Sequence, residues 1–153
     1  DEAFHDKFHE INHNQKIIMD GAPRLFQQVD TIKKLAEQHG YEPLWIIALN
    51  APLDVLLERV KDRVVAPDGF VYHMTLNPPP KKFKLSELHA RHDDRPDIVK
   101  KRYEYYVTQT LPCLTHPYLA NLKMHSIDAT RPIKEVFEDA GEFVEETEKS
   151  IIQ

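Results

Sequence analysis

The sequence predicts an α/β protein whose parallel sheet is flanked by helices and interrupted by an inserted flap, and three observations carry that prediction. Short apolar runs alternate with stretches of helical periodicity, which is the pattern of parallel βαβ units. The run Lys16-Ile17-Ile18-Met19 stops abruptly at Asp20-Gly21-Ala22-Pro23-Arg24. A strand buried on both faces would do this if it delivered an acid and an arginine beyond its carboxyl end, where ligands of such sheets bind. From Val64 to His89 the texture changes to prolines, Gly69 and lysines, a stretch too long for a bare connection and therefore read as a functional flap.

Each element has its own local reason. Phe4, Phe8 and Ile11 recur at helical spacing, so an amphipathic helix is expected over Asp1 to His13, leading into a strand at Ile17–Met19. Leu25, Phe26, Val29, Ile32 and Leu35 form the apolar stripe of a helix that ends at Gly40. Leu44 to Leu49 reads as a second buried strand stopped by Asn50. Pro52 then opens a helix where its missing N–H costs little, and Val55, Leu56, Leu57 and Val60 continue it. Within the flap, Phe70, Val71 and Tyr72 alternate like a small hairpin, with Pro78 to Pro80 and Lys81, Lys82 and Lys84 behind. Asp93-Asp94-Arg95-Pro96 supplies an N-cap acid and an early proline for a long helix through about Thr110. A third strand is expected at Met124–Ile127, ending at Asp128-Ala129-Thr130-Arg131-Pro132, and a last helix follows on Ile133, Val136, Phe137 and Phe143. The expected division is a core of residues 1–63 and 90–153 with a lid of residues 64–89.

Composition narrows the function classes. A chain of 153 residues suits one domain with a sizeable core. The formal net charge of −5 argues against a nucleic-acid footprint. One cysteine, Cys113, excludes an intrachain disulfide and any multi-cysteine metal site, and reads as a small buried hydrophobe. With no long apolar run and no signal-peptide pattern, no membrane partner is expected. An intracellular, cytoplasmic location is expected, with mitochondrial and axonemal placements as alternatives. His5 and His9 stand four apart on one helix face, but no third ligand accompanies them, which favours surface histidines. Tyr103, Tyr105, Tyr106 and Phe83 are read as packing residues rather than a base-stacking platform.

The arginines carry the chemistry. Arg59 and Arg63 are four apart, so one helix face would project both toward the start of the flap. Arg91 and Arg102 are eleven apart, close to three turns, and would share a face beyond its other end if a helix joined them. With Arg24 at a strand end, five guanidinium groups could converge on a polyanion, for which their permanent charge and forked donors are suited. The competing reading pairs them with surface acids such as Glu58, Asp62, Asp93 and Asp94.

Five motifs in order resemble a known family. They are Asp20-Gly21-Ala22-Pro23-Arg24 with Gln28, Leu57 to Arg63, Val71-Tyr72-His73 with Asn77-Pro78-Pro79, Arg91-His92-Asp93-Asp94, and Lys100-Lys101-Arg102. Together they resemble adenylate kinases of the long-lid type, along the whole chain. The resemblance implies a P-loop NTPase-like fold with a mobile lid, reversible phosphoryl transfer between ATP and AMP, and Mg2+ accompanying ATP. It implies that Gly21, Arg24 and Gln28 serve the AMP site and that Asp20 orders the magnesium waters. Arg59 and Arg63 would reach the ATP phosphates with Tyr72 in the lid, and Arg91 and Arg102, with Arg63, would face the transferred phosphoryl group. Asp93 and Asp94 would be hinge acids, and Arg131 would lie in the loop near the ATP adenine.

Departures qualify the resemblance. Ala22 stands where the family usually carries an aromatic residue, and the lid is a few residues short after Pro79. A four-cysteine structural zinc is excluded, and Tyr72 and His73 match the hydrogen-bonded lid variant instead. The four glycines, Gly21, Gly40, Gly69 and Gly141, form no G-x-x-x-x-G-K-S/T phosphate loop. The family's first strand, that loop and a further AMP-binding arginine are therefore expected in an upstream segment or a partner chain that completes the sheet. The alternative is a non-catalytic adenylate-kinase-like module, structural or nucleotide-sensing, within a larger assembly such as an axonemal one.

Overall fold

The computed structural model of the chain describes residues 6, 10, 16–41 and 45–151. Two apolar runs far apart in sequence pair as parallel strands, β1 (Trp45–Asn50) and β5 (Lys123–Asp128), in register from Trp45 opposite Lys123 to Asn50 opposite Asp128. Because side chains alternate along a strand, Trp45, Lys123, His125 and Ile127 share one face, and Ile46, Asn50, Ser126 and Asp128 share the other. Ile127 has no exposed surface, and burying a side chain of that size contributes roughly 1.5–3 kcal/mol.

Helices cover both faces. Helix α1 (Phe26–Gln38) buries Val29, Ile32 and Leu35 of the expected stripe together with Ala36, while Phe26 at its start is exposed, and the chain leaves it through Gly40 at φ +70°. Helix α2 (Leu53–Lys61) follows β1, with Pro52 as its N-cap residue. Helix α3 (Pro96–Tyr105) runs through a π-helical turn, Tyr106–Thr110, into the short α4 (Leu111–Cys113), and α5 (Pro117–Ala120) follows. Val29, Cys113 and Leu119 form a buried cluster to which Ile46 of β1 and Tyr118 and Leu122 are packed. On the other face, α6 (Ile133–Ile151) sets Phe143 edge-on to Trp45 at 6.1 Å and stacked on His125 at 4.8 Å. The Lys123 ammonium reaches the buried Thr147 hydroxyl of the same helix at 2.9 Å.

Between α2 and α3 the chain forms a three-stranded antiparallel sheet in the order β3-β2-β4. Its strands are β2 (Arg63–Val65), β3 (Val71–His73) and β4 (His89–Ala90). The β2–β3 turn closes with the Gly69 amide donating to the Ala66 carbonyl, at a glycine with φ +81°.

Four expectations are corrected. Residues 16–19 form no strand: among the described residues β1 pairs with β5 alone, and Ile18 is 85% exposed. Without a neighbouring strand to accept its hydrogen bonds, an apolar run has nothing to hold it as a buried strand. The helix face expected to carry both Arg59 and Arg63 is broken, because α2 ends at Lys61 and Arg63 begins β2. No helix joins Arg91 to Arg102, since α3 starts at Pro96. Neither Asp93 nor Asp94 caps α3: Arg95 is the N-cap residue, without a side-chain cap, and the Asp94 carboxylate turns instead to Arg63. The helix expected over Asp1 to His13 lies outside the described residues, apart from Asp6 and Glu10, as does Leu44 of the second strand. Among the described residues no helix is long and apolar enough to cross a membrane.

Candidate functional site

The carboxyl ends of β1 and β5 border a cleft of about 530 Å3, lined on the sheet side by Asn50, Ser126 and Asp128 and across from it by Tyr103, Tyr106 and Leu111. The sheet side is polar and mutually bonded. Asn50 donates from Nδ2 to Ser126 Oγ at 2.7 Å, and its carbonyl accepts from the Ala129 amide at 2.8 Å. Asp128 accepts from the Thr130 hydroxyl at 2.7 Å and the Thr130 amide at 2.9 Å. Those bonds, aided by the charges of Arg131 and Arg59, hold its carboxyl below the usual carboxylate range.

Arg59 and Arg131, 72 residues apart, meet beside this rim. Arg59 Nη2 donates to the Arg131 carbonyl at 3.4 Å. The Arg131 guanidinium in turn donates to the Asp128 carbonyl at 3.2 Å and to the Asp139 carboxylate of α6. Asp139 also accepts from His125 Nε2 at 2.6 Å. Its carboxyl is lowered first by His125 and then by Arg131.

At the base of the flap a second cluster forms around Asp94. Arg63 donates to it from both arms of its guanidinium, Nε to Oδ2 at 2.8 Å and a terminal nitrogen to Oδ1, a bidentate pair joining β2 to the turn before α3. The Asp94 side chain is 5% exposed. Its carboxyl lies below the usual range, first through the Arg63 bond and then through the charges of Arg63, Arg91 and Arg102, while the pKa of Arg63 is raised. Arg91 also sits 3.7 Å from Asp93. Arg63, Arg91 and Arg102 thus converge electrostatically on one buried acid, and the adjacent Asp93 is the exposed one of the pair.

Arg24 occupies a third position, held by its own backbone neighbourhood. Its Nε donates to the Gly21 carbonyl at 2.6 Å, its amide donates to Gln28 Oε1 at 2.8 Å, and its carbonyl accepts from Thr110 Oγ1 at 3.3 Å. Gly21 has φ +66°, a left-handed backbone that favours glycine, and a Cβ there would displace the flexible end of Arg24, whose Nη2 would lie 2.6 Å away. Asp20 is exposed on the bend before it. In the flap, the Tyr72 hydroxyl donates to Asp68 Oδ2 at 3.0 Å, and His73 Nδ1 accepts from the amides of Thr75 and Leu76 at 3.3 and 3.2 Å. Desolvation, then the Asp68 bond, raises the Tyr72 phenol above its ordinary value.

Sequence reasoning did not single out Asn50, Ser126, His125 or Asp139. Asn50 was read only as a strand stop, although the last residue of a parallel strand is where such a site is built. No spacing rule connects Asp139 to Arg131, because the helix that carries the acid begins after the arginine.

No family model matches the chain. It is 32% identical over 123 residues to adenylate kinases of Streptococcus pneumoniae strains Hungary19A-6, ATCC 700669 / Spain 23F-1 and JJA, a match covering 80% of this chain and 57% of each relative. The chain therefore spans little more than half the length of the curated relatives it matches. The level and extent of this similarity, on a fold whose parallel strands are flanked by helices, establish that the chain is related to the adenylate kinase family.

Proposed function

We propose that these residues form the arginine-bearing part of an adenylate kinase, acting in reversible phosphoryl transfer between ATP and AMP together with a glycine-rich phosphate loop that this sequence does not contain. The observation that carries the reading is the gathering of arginines from separate segments: at the base of the flap Arg63 grips Asp94, which also feels the charges of Arg91 and Arg102, and beside the strand ends Arg59 meets Arg131. Phosphoryl transfer asks for positioning and charge stabilisation rather than covalent catalysis, and fixed guanidinium groups supply both.

In this reading Arg24 and Gln28, with Gly21 shaping their turn, hold AMP. Arg59, Arg63 and Tyr72 serve the ATP phosphates, and Arg91 and Arg102 face the phosphoryl group in transfer. The 128–131 loop, with Arg131, receives the adenine of ATP. Residues 64–89 form a lid on the core of residues 1–63 and 90–153, and Asp93 and Asp94 act at its hinge. Closure would exclude water and so favour transfer over hydrolysis. Asp20, one exposed carboxylate, fits Mg2+, which keeps several waters and leans on substrate phosphates. When bound, the ion would neutralise charge on the ATP phosphates.

The test is ADP formation from MgATP and AMP by the native polypeptide carrying these residues. Arg102→Ala is expected to lower kcat by about two orders of magnitude or more, the usual scale for losing a guanidinium at the transferred group. Absence of turnover together with absence of AMP binding would refute the proposal. Binding without turnover would favour the second reading, a nucleotide-sensing module.

A further inference from the structure

The His125–Asp139–Arg131 chain is a polar network of which the roles above use Arg131 alone. Asp139 is a divided carboxylate: Oδ1 accepts a hydrogen bond from His125 Nε2 at 2.6 Å and Oδ2 accepts from the Arg131 guanidinium. His125 is fixed from behind, stacked on Phe143, which the Lys123 ammonium overlies at 5.2 Å and Trp45 meets edge-on. Arg131 is tied forward, through its carbonyl to Arg59 and through its Nε to the Asp128 carbonyl. A line of contacts thus runs from packed aromatic rings, through one acid, to the loop 128–131 and the Arg59 side chain.

We propose that Asp139, oriented by His125, is a positioning residue for nucleoside triphosphate binding: by clamping the Arg131 guanidinium it holds loop 128–131 and Arg59 in place before the nucleotide arrives. This rests on the reading of that loop as the site of ATP. The physical case is one of prepaid order. An arginine loses rotamer freedom when fixed, and a carboxylate that fixes it beforehand removes that cost from binding. Because the clamp takes up the Arg131 charge, the loop contributes shape and main-chain groups, and Arg59, held only by a carbonyl, keeps its charge for phosphate.

Asp139→Asn keeps the size of the side chain and removes its charge, and Asp139→Glu restores the charge on a longer arm. Two readouts on the full chain separate the possibilities. The Arg131 Nε–H, which donates to the Asp128 carbonyl while Nη2 holds Asp139, is expected to exchange slowly in the parent protein and to broaden or vanish in Asp139→Asn, and an unchanged resonance would overturn the clamp. Calorimetric titration should show MgATP affinity falling about tenfold in Asp139→Asn, as expected for one charge-assisted hydrogen bond, with partial recovery in Asp139→Glu and AMP affinity within about twofold of the parent. Equal losses for both nucleotides would overturn the positioning role in favour of general destabilisation, which the fluorescence of the sole tryptophan, Trp45, would report. A parent chain with an intact Arg131 signal but no MgATP binding would refute the nucleotide reading of the loop itself, leaving the clamp as a staple between β5 and α6.

Discussion

Arg59 and Arg63 are one helical turn apart in sequence and end in opposite situations. Arg63, at the base of the flap, is locked in a bidentate pair with a carboxylate whose side chain is 5% exposed, while Arg59, at the strand-end rim, is held by a single backbone carbonyl at 3.4 Å. Arg24 resembles Arg59, anchored to the Gly21 carbonyl. A carboxylate fixes a guanidinium and cancels its charge, whereas a carbonyl fixes it and leaves the charge in place. The contrast separates a guanidinium paired with a carboxylate from guanidinium groups bonded only to backbone carbonyls. A buried pair strengthens the joint between β2 and α3 only because its partners are correctly placed, since each alone would be a costly buried charge.

The largest expected effect comes from breaking the buried side of this contrast. Asp94→Ala removes the carboxylate that Arg63 grips with both arms and that the charges of Arg91 and Arg102 also favour. It should cost about 3 kcal/mol, the low end for a broken buried pair because the Arg63 side chain retains 31% exposure. Arg63→Met should cost less, since Arg91 and Arg102 still face the acid. The pH dependence has a definite sign. The Asp94 carboxyl is depressed in the folded state, so its contribution is complete above the ordinary carboxylate pKa and is lost as pH falls through the lower folded value, below about pH 4. Urea unfolding from neutral pH downward should show the parent losing more stability in that window than Asp94→Asn. Parallel curves for the two proteins would remove Asp94 from the acid response, and the depressed Asp128 and Asp139, present in both, would account for what remains.

The rim is tested at Gly21. Gly21→Ala meets two obstacles, a left-handed backbone that costs an L-residue roughly 1–2 kcal/mol and a Cβ placed 2.6 Å from Arg24 Nη2. Gly69→Ala is the control: its φ of +81° imposes similar strain, but nothing lies within 4 Å of the added carbon. Both variants should lower the unfolding midpoint by comparable amounts, and only Gly21→Ala should also weaken AMP binding, because only there must the arginine move. Equal AMP affinities in the two variants would mean that the carbonyl hold on Arg24 does not set its position.

This contrast was only partly legible in the sequence. The stripe on Val29, Ile32 and Leu35 and the run from Trp45 to Leu49 are periodic or compositional features that depend on neighbours within one segment, and the fold follows them. The Ile17–Met19 strand did not form because strandedness depends on partners outside the segment. For the same reason the spacing of Arg59 and Arg63 misled: an i, i+4 rule assumes a continuous helix, and Asp62 ends it. The resemblance offers Asp94 only as an expected hinge acid, and nothing in the sequence shows its burial, which depends on β2 folding back against the start of α3. Asp139 had no signal at all, since its importance comes from a strand, a loop and a helix meeting.

The smallest expected effect concerns the flap's own acid, and it sharpens the comparison by setting an exposed carboxylate with a neutral donor against a buried one with a charged donor. Asp68 accepts from the Tyr72 hydroxyl as Asp94 accepts from Arg63, but Asp68 is exposed at the turn and Asp94 is buried. A hydrogen bond that competes with water contributes little to stability, so Asp68→Asn should leave the urea midpoint unchanged within error. It should still be visible in the titration of tyrosine absorbance. Desolvation and the Asp68 bond together raise Tyr72, so removing the carboxylate should bring one phenol partway back toward its ordinary value. Tyr118, raised first by burial and then by Glu37, should not move. If Tyr72 titrates identically in both proteins, desolvation alone sets its proton affinity, and Asp68 belongs with the solvated surface acids. If the midpoint falls as well, the flap turn depends on this bond, and the distinction between a structural acid at the flap's base and an incidental one at its tip would have to be withdrawn.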